Sequence, residues 1–276
     1  MVLLIQCTDR QGLVATIANV LAHYSLNITT LREFVDTENN RFFARFVCEG
    51  DADFESIKAD LITALPEDAA VTINPNPKKK IVVLVTKEYH CLSDILVRNH
   101  FSTLGAMVEC VIGNHANLAD LCNRFSVPFH YISHAEKTKE EFEGELISVI
   151  NTCTFDYIVL AKFMRILSPA FVAAYPIKIV NIHHSFLPAF IGSNPYRKAF
   201  ERGVKLIGAT AHFVTDSLDE GPIIAQETIH VNHTFTPTDM VKAGKEIEKS
   251  VLARALQLVL QDRVFVYDNK TVVFEN

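Results

Sequence analysis

No stretch of this 276-residue chain reaches the roughly 18 consecutive apolar residues a membrane helix needs, so no membrane partner is expected. Positive charge is also short. Lys and Arg total 26 against 32 Asp and Glu, a net charge of -6, and nothing in that balance points to nucleic acid. The opening MVLLIQCTDR has no basic region before its short apolar run, so no secretory signal is expected. The six cysteines (Cys7, Cys48, Cys91, Cys110, Cys122 and Cys153) form no CxxC pair. Scattered thiols suit a reducing cytoplasm better than a disulfide framework or a zinc site, and a cytoplasmic location is the expectation. No GxGxxG follows the apolar run Ile81–Thr86, which argues against a nicotinamide enzyme. No internal repeat is visible. What remains is an ordinary globular composition, 49% hydrophobic and 21% charged, with room for two domains.

The first part alternates compactly. Val2–Cys7 reads as a strand and Gly12–Tyr24 as a helix with Leu13, Ile17, Val20 and Leu21 on one face. Leu26–Val35 and Arg41–Glu49 read as strands joined by the hairpin turn Thr37–Asn40. Phe54–Ala64 reads as a helix and Ala69–Asn74 as a strand, giving a ferredoxin-like βαββαβ order. Asn74–Lys80, with two prolines, two asparagines and a lysine run, reads as a linker, so domains over 1–77 and 78–276 are expected.

The pattern then changes to an α/β class. Strands at Ile81–Thr86, Val108–Gly113, Phe129–Ile132, Tyr157–Ala161 and Lys178–His183 alternate with helices at Leu92–Phe101, Leu118–Phe125, Lys139–Asn151 and Ser168–Tyr175. Apolar strands without alternation, separated by helices, predict a doubly wound, mostly parallel sheet of Rossmann-like type. Gly208–Val214 and Ile223–Val231 form a longer strand pair, Asp239–Leu260 a long amphipathic helix, and Val264–Tyr267 with Thr271–Phe274 a closing hairpin.

The residues with chemistry gather around Asn181-Ile182-His183-His184. Side chains alternate along a strand, so Asn181 and His183 face the same way, at the strand end where open α/β sheets bind ligands. An imidazole moves protons near neutral pH and a carboxamide can donate to a developing oxyanion. The missing carboxylate is Asp219, in the turn-rich loop Asp216–Pro222. A carboxylate partly shielded from water is expected to have a raised pKa and to serve as a base. His184 faces the other way and His212 reads as a satisfied core histidine. No metal is implied, because no ligand cluster is visible.

Three blocks in order, Ala161–Pro169 (AKFMRILSP), Asn181–Pro188 (NIHHSFLP) and Gly208–Val214 (GATAHFV) followed by Asp219–Ile224 (DEGPII), resemble the formyltransferase domain. Size, element order and Cys7-Thr8-Asp9-Arg10-Gln11-Gly12-Leu13 make the first part resemble an ACT regulatory domain. The two together are similar to the formyltetrahydrofolate deformylase family. The resemblance implies Asn181, His183 and Asp219 as the catalytic triad. It implies Met164, Arg165, Ile166, Leu167, Val214, Thr215 and Asp216 as substrate-binding, with the backbone of Arg165–Leu167 meeting a pterin ring. It implies hydrolysis of 10-formyltetrahydrofolate by water to tetrahydrofolate and formate, without a cofactor, feeding formate to purine synthesis and balancing one-carbon folate pools. Whether His183 or Asp219 is the base stays open. The ACT resemblance implies an amino-acid effector, glycine or methionine, near Asp9, Gly12 and Leu13, and a homo-oligomer. The alternative is formyl transfer to an amine such as glycinamide ribonucleotide. In such transferases a Gly-rich loop after the first strand cradles a phosphate; here Thr86–Ser93 has no glycine and contains Glu88, with Tyr89 and His90 expected to fill the acceptor space.

Overall fold

The structure is a computed structural model that describes residues 1–75, 78–188 and 195–275. Of the expected linker, Asn76 and Pro77 lie outside the described residues. The chain divides into two compact units: Met1–Pro77 with Gln261–Phe265 and Val272–Asn276, and Lys78–Leu260 with Val266–Thr271. Among the described residues no helix is long and apolar enough to cross a membrane.

In the first unit, β1 (Val2–Thr8), α1 (Leu13–His23), β2 (Asn27–Asp36), β3 (Arg41–Glu49), α2 (Phe54–Ala64) and β4 (Ala70–Asn74) follow one another, the βαββαβ order expected. The sheet order is β2-β3-β1-β4 with every neighbour antiparallel. Leu3, Ile5 and Cys7 of β1 meet Ile17 and Leu21 of α1 and Ile57 and Leu61 of α2, all fully buried. The alternation of β3 sends Phe42, Ala44, Phe46 and Cys48 into the same core. Its other face is covered too. Phe265 packs edge-on against Phe43 at 5.7 Å, and the Arg45 guanidinium donates to the carbonyls of Gln261 and Asp262, 2.9 Å each. Those two bonds satisfy a buried cation that would otherwise be costly. They also explain why 261–265 group with this unit, whereas the sequence suggested that everything after residue 77 belongs to one domain.

The second unit is built on a seven-stranded sheet. Its elements are β5 (Lys79–Val85), α3 (His90–His100), β6 (Ala106–Gly113), α4 (Ala119–Arg124), β7 (Phe129–Tyr131), α5 (Lys139–Ile150), β8 (Tyr157–Leu160), α6 (Pro169–Ala174), β9 (Ile179–His183), α7 (Pro195–Arg202), β10 (Leu206–Phe213), β11 (Ile223–His230) and α8 (Pro237–Leu260). A last strand pair, β12 (Val264–Tyr267) and β13 (Lys270–Val273), has its residues divided between the two units. The sheet order is β11-β10-β9-β8-β5-β6-β7. Strands β5 to β9 pair in parallel, and the order reverses between β6 and β8 on either side of β5, a switch point that opens a crevice at their carboxyl ends. β10 and β11 are antiparallel additions beyond β9.

Local sequence explains the starts of these helices. Thr138 and Glu141 form a reciprocal capping box on α5, and Ser168 caps α6 with Pro169 behind it, as the sequence suggested. α7 was not visible in the sequence, because eight residues, half of them charged, give too little apolar periodicity. Gly244 in α8 is required by its neighbour: a Cβ there would overlap the Tyr196 ring of α7. Removing a mid-helix glycine gains roughly 1 kcal/mol of propensity, but forcing atoms into a packed site costs about 1–3 kcal/mol. Gly244→Ala is therefore expected to lower stability despite its better helix propensity. Urea unfolding measures this, and an unchanged or raised midpoint would refute the packing argument.

Candidate active site

The carboxyl ends of β8 and β9 and the far end of β10 surround a cavity of about 310 Å³. One wall is Met164–Leu167, another is Val214–Asp219, and the floor carries Asn181, His183, His184 and His212. The sequence-derived site residues therefore meet in one place. Met164, Arg165 and Ile166 are exposed at its rim. That wall is pinned at both ends: Met164 N–H donates to Thr86 Oγ1 at 2.9 Å, and Ser168 donates its N–H to the buried carboxylate of Glu143 at 2.7 Å and its hydroxyl to the other oxygen.

His183 Nδ1 lies 3.2 Å from Asp219 Oδ1. The carboxylate can only accept, so Nδ1 carries the proton, and Nε2 is buried with no partner among the described residues. That nitrogen is the one left for a bound molecule. The pKa of Asp219 moves opposite to the sequence expectation. Burial pushes it up, but the hydrogen bond from His183 and the nearby imidazoles outweigh burial and hold it below its ordinary 3.8. Asp219 is thus a fixed negative charge that orients His183.

His212 has more to do than fill the core. It stands across from Asn181 in the β9–β10 ladder and is almost fully buried. Its Nδ1 lies 2.9 Å from the Phe213 carbonyl, which only accepts, so Nδ1 holds the proton and Nε2 accepts. Asn181 Nδ2 donates to that Nε2 at 3.1 Å. This fixes the carboxamide with its amino group inward and leaves its second N–H free of His212. Burial holds His212 below its ordinary 6.5, so the neutral tautomer persists at neutral pH. The signal in the sequence was the two-residue register from Asn181 to His183 met by Thr210 to His212 on the next strand.

The loop that brings Asp219 in is tightly constrained. A Cβ on Gly221 would overlap the Phe213 carbonyl oxygen, so only glycine lets the loop lie on the end of β10. Asp219 takes a left-handed φ of 58°, which an Asp side chain tolerates. Asn269 Nδ2 donates to the Glu220 carbonyl at 2.8 Å. β11 carries an extra residue, Ile224, opposite the step from Ala211 to His212. Bulges of this kind re-aim strands beside functional sites.

His184 stacks on His183, ring centroids 5.0 Å apart and planes 24° apart. Burial, aided by Lys162, pulls its pKa down to about 4, so it is neutral beside a proton-carrying neighbour. Lys162, at a left-handed φ of 62°, lines the cavity and places Nζ 3.2 Å from Glu248 Oε2. Glu248 also accepts from Tyr196 at 2.7 Å and lies 2.7 Å from His90 Nε2. Burial pushes its pKa up, but these partners pull it down to about 2. Neither Lys162 nor Glu248 stood out in the sequence, since Glu248 is far along the chain from its partners. His90, Cys91 and Glu248 do put three possible metal ligands within 4.8 Å of one another, a cluster the sequence did not reveal. The Lys162 ammonium already supplies the positive charge that Glu248 needs. Tyr89 is 59% exposed and His90 is buried.

The first-unit residues Asp9, Gly12 and Leu13 lie in and after the loop that follows β1. Gly12 takes a left-handed φ of 86° and starts α1 without a side-chain cap, so Asp9 does not cap that helix. Leu13 is buried in the first-unit core, and only its backbone faces the loop.

Residues 79–256 match the formyl transferase family. The formyltetrahydrofolate deformylase of Escherichia coli (strain K12) is 51% identical over 267 residues, covering 97% of this chain and 95% of that one. A crystal structure of a formyltetrahydrofolate deformylase from Pseudomonas syringae pv. tomato superposes with a TM-score of 0.94 at 39% identity, covering 99% of this chain and 94% of that one. Glycinamide ribonucleotide transformylase 1 from Symbiobacterium toebii superposes less fully, with a TM-score of 0.69 at 28% identity, covering 72% of this chain and 96% of that one. With a paired imidazole, an oriented carboxamide and a held carboxylate at the end of a formyl transferase sheet, and with near-full-length likeness to the first two proteins, the chain belongs to the formyltetrahydrofolate deformylase family.

Proposed function

We propose that this chain hydrolyses 10-formyltetrahydrofolate to tetrahydrofolate and formate. The observation that carries the reading is the meeting of Asn181, His183 and Asp219 on the floor of one cavity. The formyl carbonyl points at Asn181, whose free N–H donates to the oxyanion as water adds. Nε2 of His183 takes the proton of the attacking water, and Asp219 stabilises the imidazolium that results. The carbon–N10 bond then breaks, His183 returns the proton to N10, and formic acid leaves, losing its remaining hydroxyl proton to solvent to become formate. The pterin ring lies along the backbone of Arg165, Ile166 and Leu167 and under the Val214–Asp216 loop. No cofactor enters these steps. Transfer to an amine acceptor is the second reading, favoured only by the partial likeness to a transformylase scaffold.

The proposal extends to the first unit: an ACT domain that binds an amino acid, glycine or methionine, at the Asp9–Leu13 loop and joins chains into a homo-oligomer in the cytoplasm. In that reading formate from the second unit feeds purine synthesis. Support comes from the βαββαβ order and the uncapped, left-handed start of α1.

Formate release without an added acceptor is the direct test. His183→Ala is expected to lower kcat by roughly 10²–10⁴-fold, the usual worth of acid–base catalysis. Asp219→Asn is expected to lower kcat as well, because an amide can present a donor to His183 Nδ1 and disturb its tautomer. Near-normal turnover in either variant would remove that residue from the mechanism. Gly221→Ala is expected to lower kcat without contacting substrate, since the loop must lift off Phe213; crystallography of the variant would show Asp219 displaced from His183, and an undisturbed pair with full activity would refute it.

The pH dependence has a sign. His184 and His212 have folded pKa values below 6.5, so unfolded protein binds protons first as pH falls. The stability these neutral imidazoles contribute is present above pH 6.5 and is lost as pH falls through the depressed folded values, near 4 for His184. A melting temperature that stays flat from pH 7 to about 4 would contradict their burial as neutral rings.

A further inference from the structure

The wall Met164–Leu167 belongs to neither a helix nor a strand. It lines the catalytic cavity, and it also lines a second cavity of about 340 Å³ with Lys139, Phe142 and Glu143. With open space on both sides, packing supports it mainly through Leu167, whose side chain rests on the core. Among the described residues, Arg165, Ile166 and Leu167 make no backbone hydrogen bond. Their N–H and C=O groups are left for a bound ring or for water. The ends of the wall are held instead. Met164 N–H donates to Thr86 Oγ1 at 2.9 Å, which fixes the Phe163–Met164 peptide. Ser168 N–H donates to Glu143 Oε1 at 2.7 Å, which fixes the Leu167–Ser168 peptide, and the Ser168 hydroxyl donates to the other Glu143 oxygen. Because a peptide is planar, holding its N–H also aims the carbonyl of the residue before it.

Glu143 is buried on α5, a helix fixed by its capping box and by Phe142 and Leu146 in the core. Phe142 also stacks on Phe163, the residue before the wall, with ring centroids 6.4 Å apart. Both Glu143 oxygens are spent on one residue, and both donors are neutral. A carboxylate buried on such terms adds little to stability. What it supplies is direction, since a two-point grip through charge-assisted hydrogen bonds allows one orientation. We propose that Glu143 is a positioning residue for the substrate: through Ser168 it holds the last peptide of the wall, so that the free backbone of Arg165–Leu167 presents one fixed edge to the ring. Glu143 stands outside the lining of the catalytic cavity and acts only through Ser168. The inference rests on the hydrolase reading for the identity of the ring, and on geometry alone for the grip. The ring is remote from the bond that breaks, so a looser wall weakens ground state and transition state alike and shows in KM, not in kcat.

The test uses the full chain, with formate release from 10-formyltetrahydrofolate measured across substrate concentration. Glu143→Ala is expected to raise KM about tenfold and to leave kcat within about threefold. Glu143→Gln keeps an acceptor for the Ser168 N–H and loses the one for its hydroxyl. Its KM is expected to fall between those of Glu143→Ala and the unaltered chain, and it guards against a folding defect. Ser168→Ala breaks the same grip, so combining it with Glu143→Ala should leave KM within about twofold of the weaker-binding single variant. The idea is overturned if Glu143→Ala keeps KM within about twofold of the unaltered chain, if kcat falls while KM holds, or if the two effects on KM multiply. Hydrogen exchange by mass spectrometry reads the grip without substrate. Amides of residues 164–168 are expected to exchange faster in Glu143→Ala, with β8 and β9 unchanged. Unchanged exchange at 164–168 overturns the grip, and faster exchange throughout β8 and β9 overturns the positioning role in favour of a general structural one. Failure of the hydrolase reading shows separately, as no formate from the unaltered chain, and hydrogen exchange then decides on Glu143 by itself.

Discussion

The 3.2 Å contact between His183 Nδ1 and Asp219 Oδ1 is the interaction on which the rest of the site depends. It settles which ring nitrogen holds the proton and therefore which one is free. It also makes burial of a carboxylate tolerable, because the imidazoles around it outweigh the cost of leaving water. Strand topology positions this contact, and the Asn269 side chain braces the loop that carries Asp219. The parallel run from β5 to β9 delivers His183 to the strand end, and the antiparallel pair β10–β11 returns the chain so that the Asp219 loop comes back over it.

Two carboxylates of the catalytic unit, the half-buried Asp219 and the buried Glu248, keep contrasting company. Asp219 is met by imidazoles, which can exchange protons. Glu248 is met by an ammonium, an imidazole and a phenol, which hold it ionised against its burial. Lys162 touches both worlds, lining the cavity with its stem and pairing with Glu248 at its tip. The second centre steadies the floor beneath His184, and His184 in turn lies flat against His183. Charge that must not move is thus kept one ring away from charge that must.

Much of this was legible in the chain itself. The βαββαβ order, the parallel strands and the helix caps at Thr138 and Ser168 follow from local periodicity and capping chemistry. So did the meeting of Asn181, His183 and Asp219, because alternation along one strand and a turn-rich loop after another are local signals. The depressed pKa of Asp219 was not legible, since it depends on three histidines assembled across strands. Nor was the role of His212, which looked like core until the register put it opposite Asn181. The Glu88–Lys245 and His90–Glu248 pairs span about half the chain, and no sequence window contains both partners. The covering of β3 by residues 261–265 escaped for the same reason.

The extra residue in β11, Ile224, shifts the β10–β11 register between Ala211 and His212, beside the bond that holds Asn181. Sliding β10 along β9 by one position would turn His212 to the opposite face and bring its neighbours Ala211 or Phe213 to Asn181. Neither offers a side-chain acceptor, and the slip would also turn Thr210 away from Ser185, Leu187 and Gln226. A single step of register therefore decides whether the Asn181 carboxamide has a partner to aim it. The orientation of one amide is thus set by the alignment of a whole strand, and the β10–β11 irregularity sits at the residue where that alignment is read.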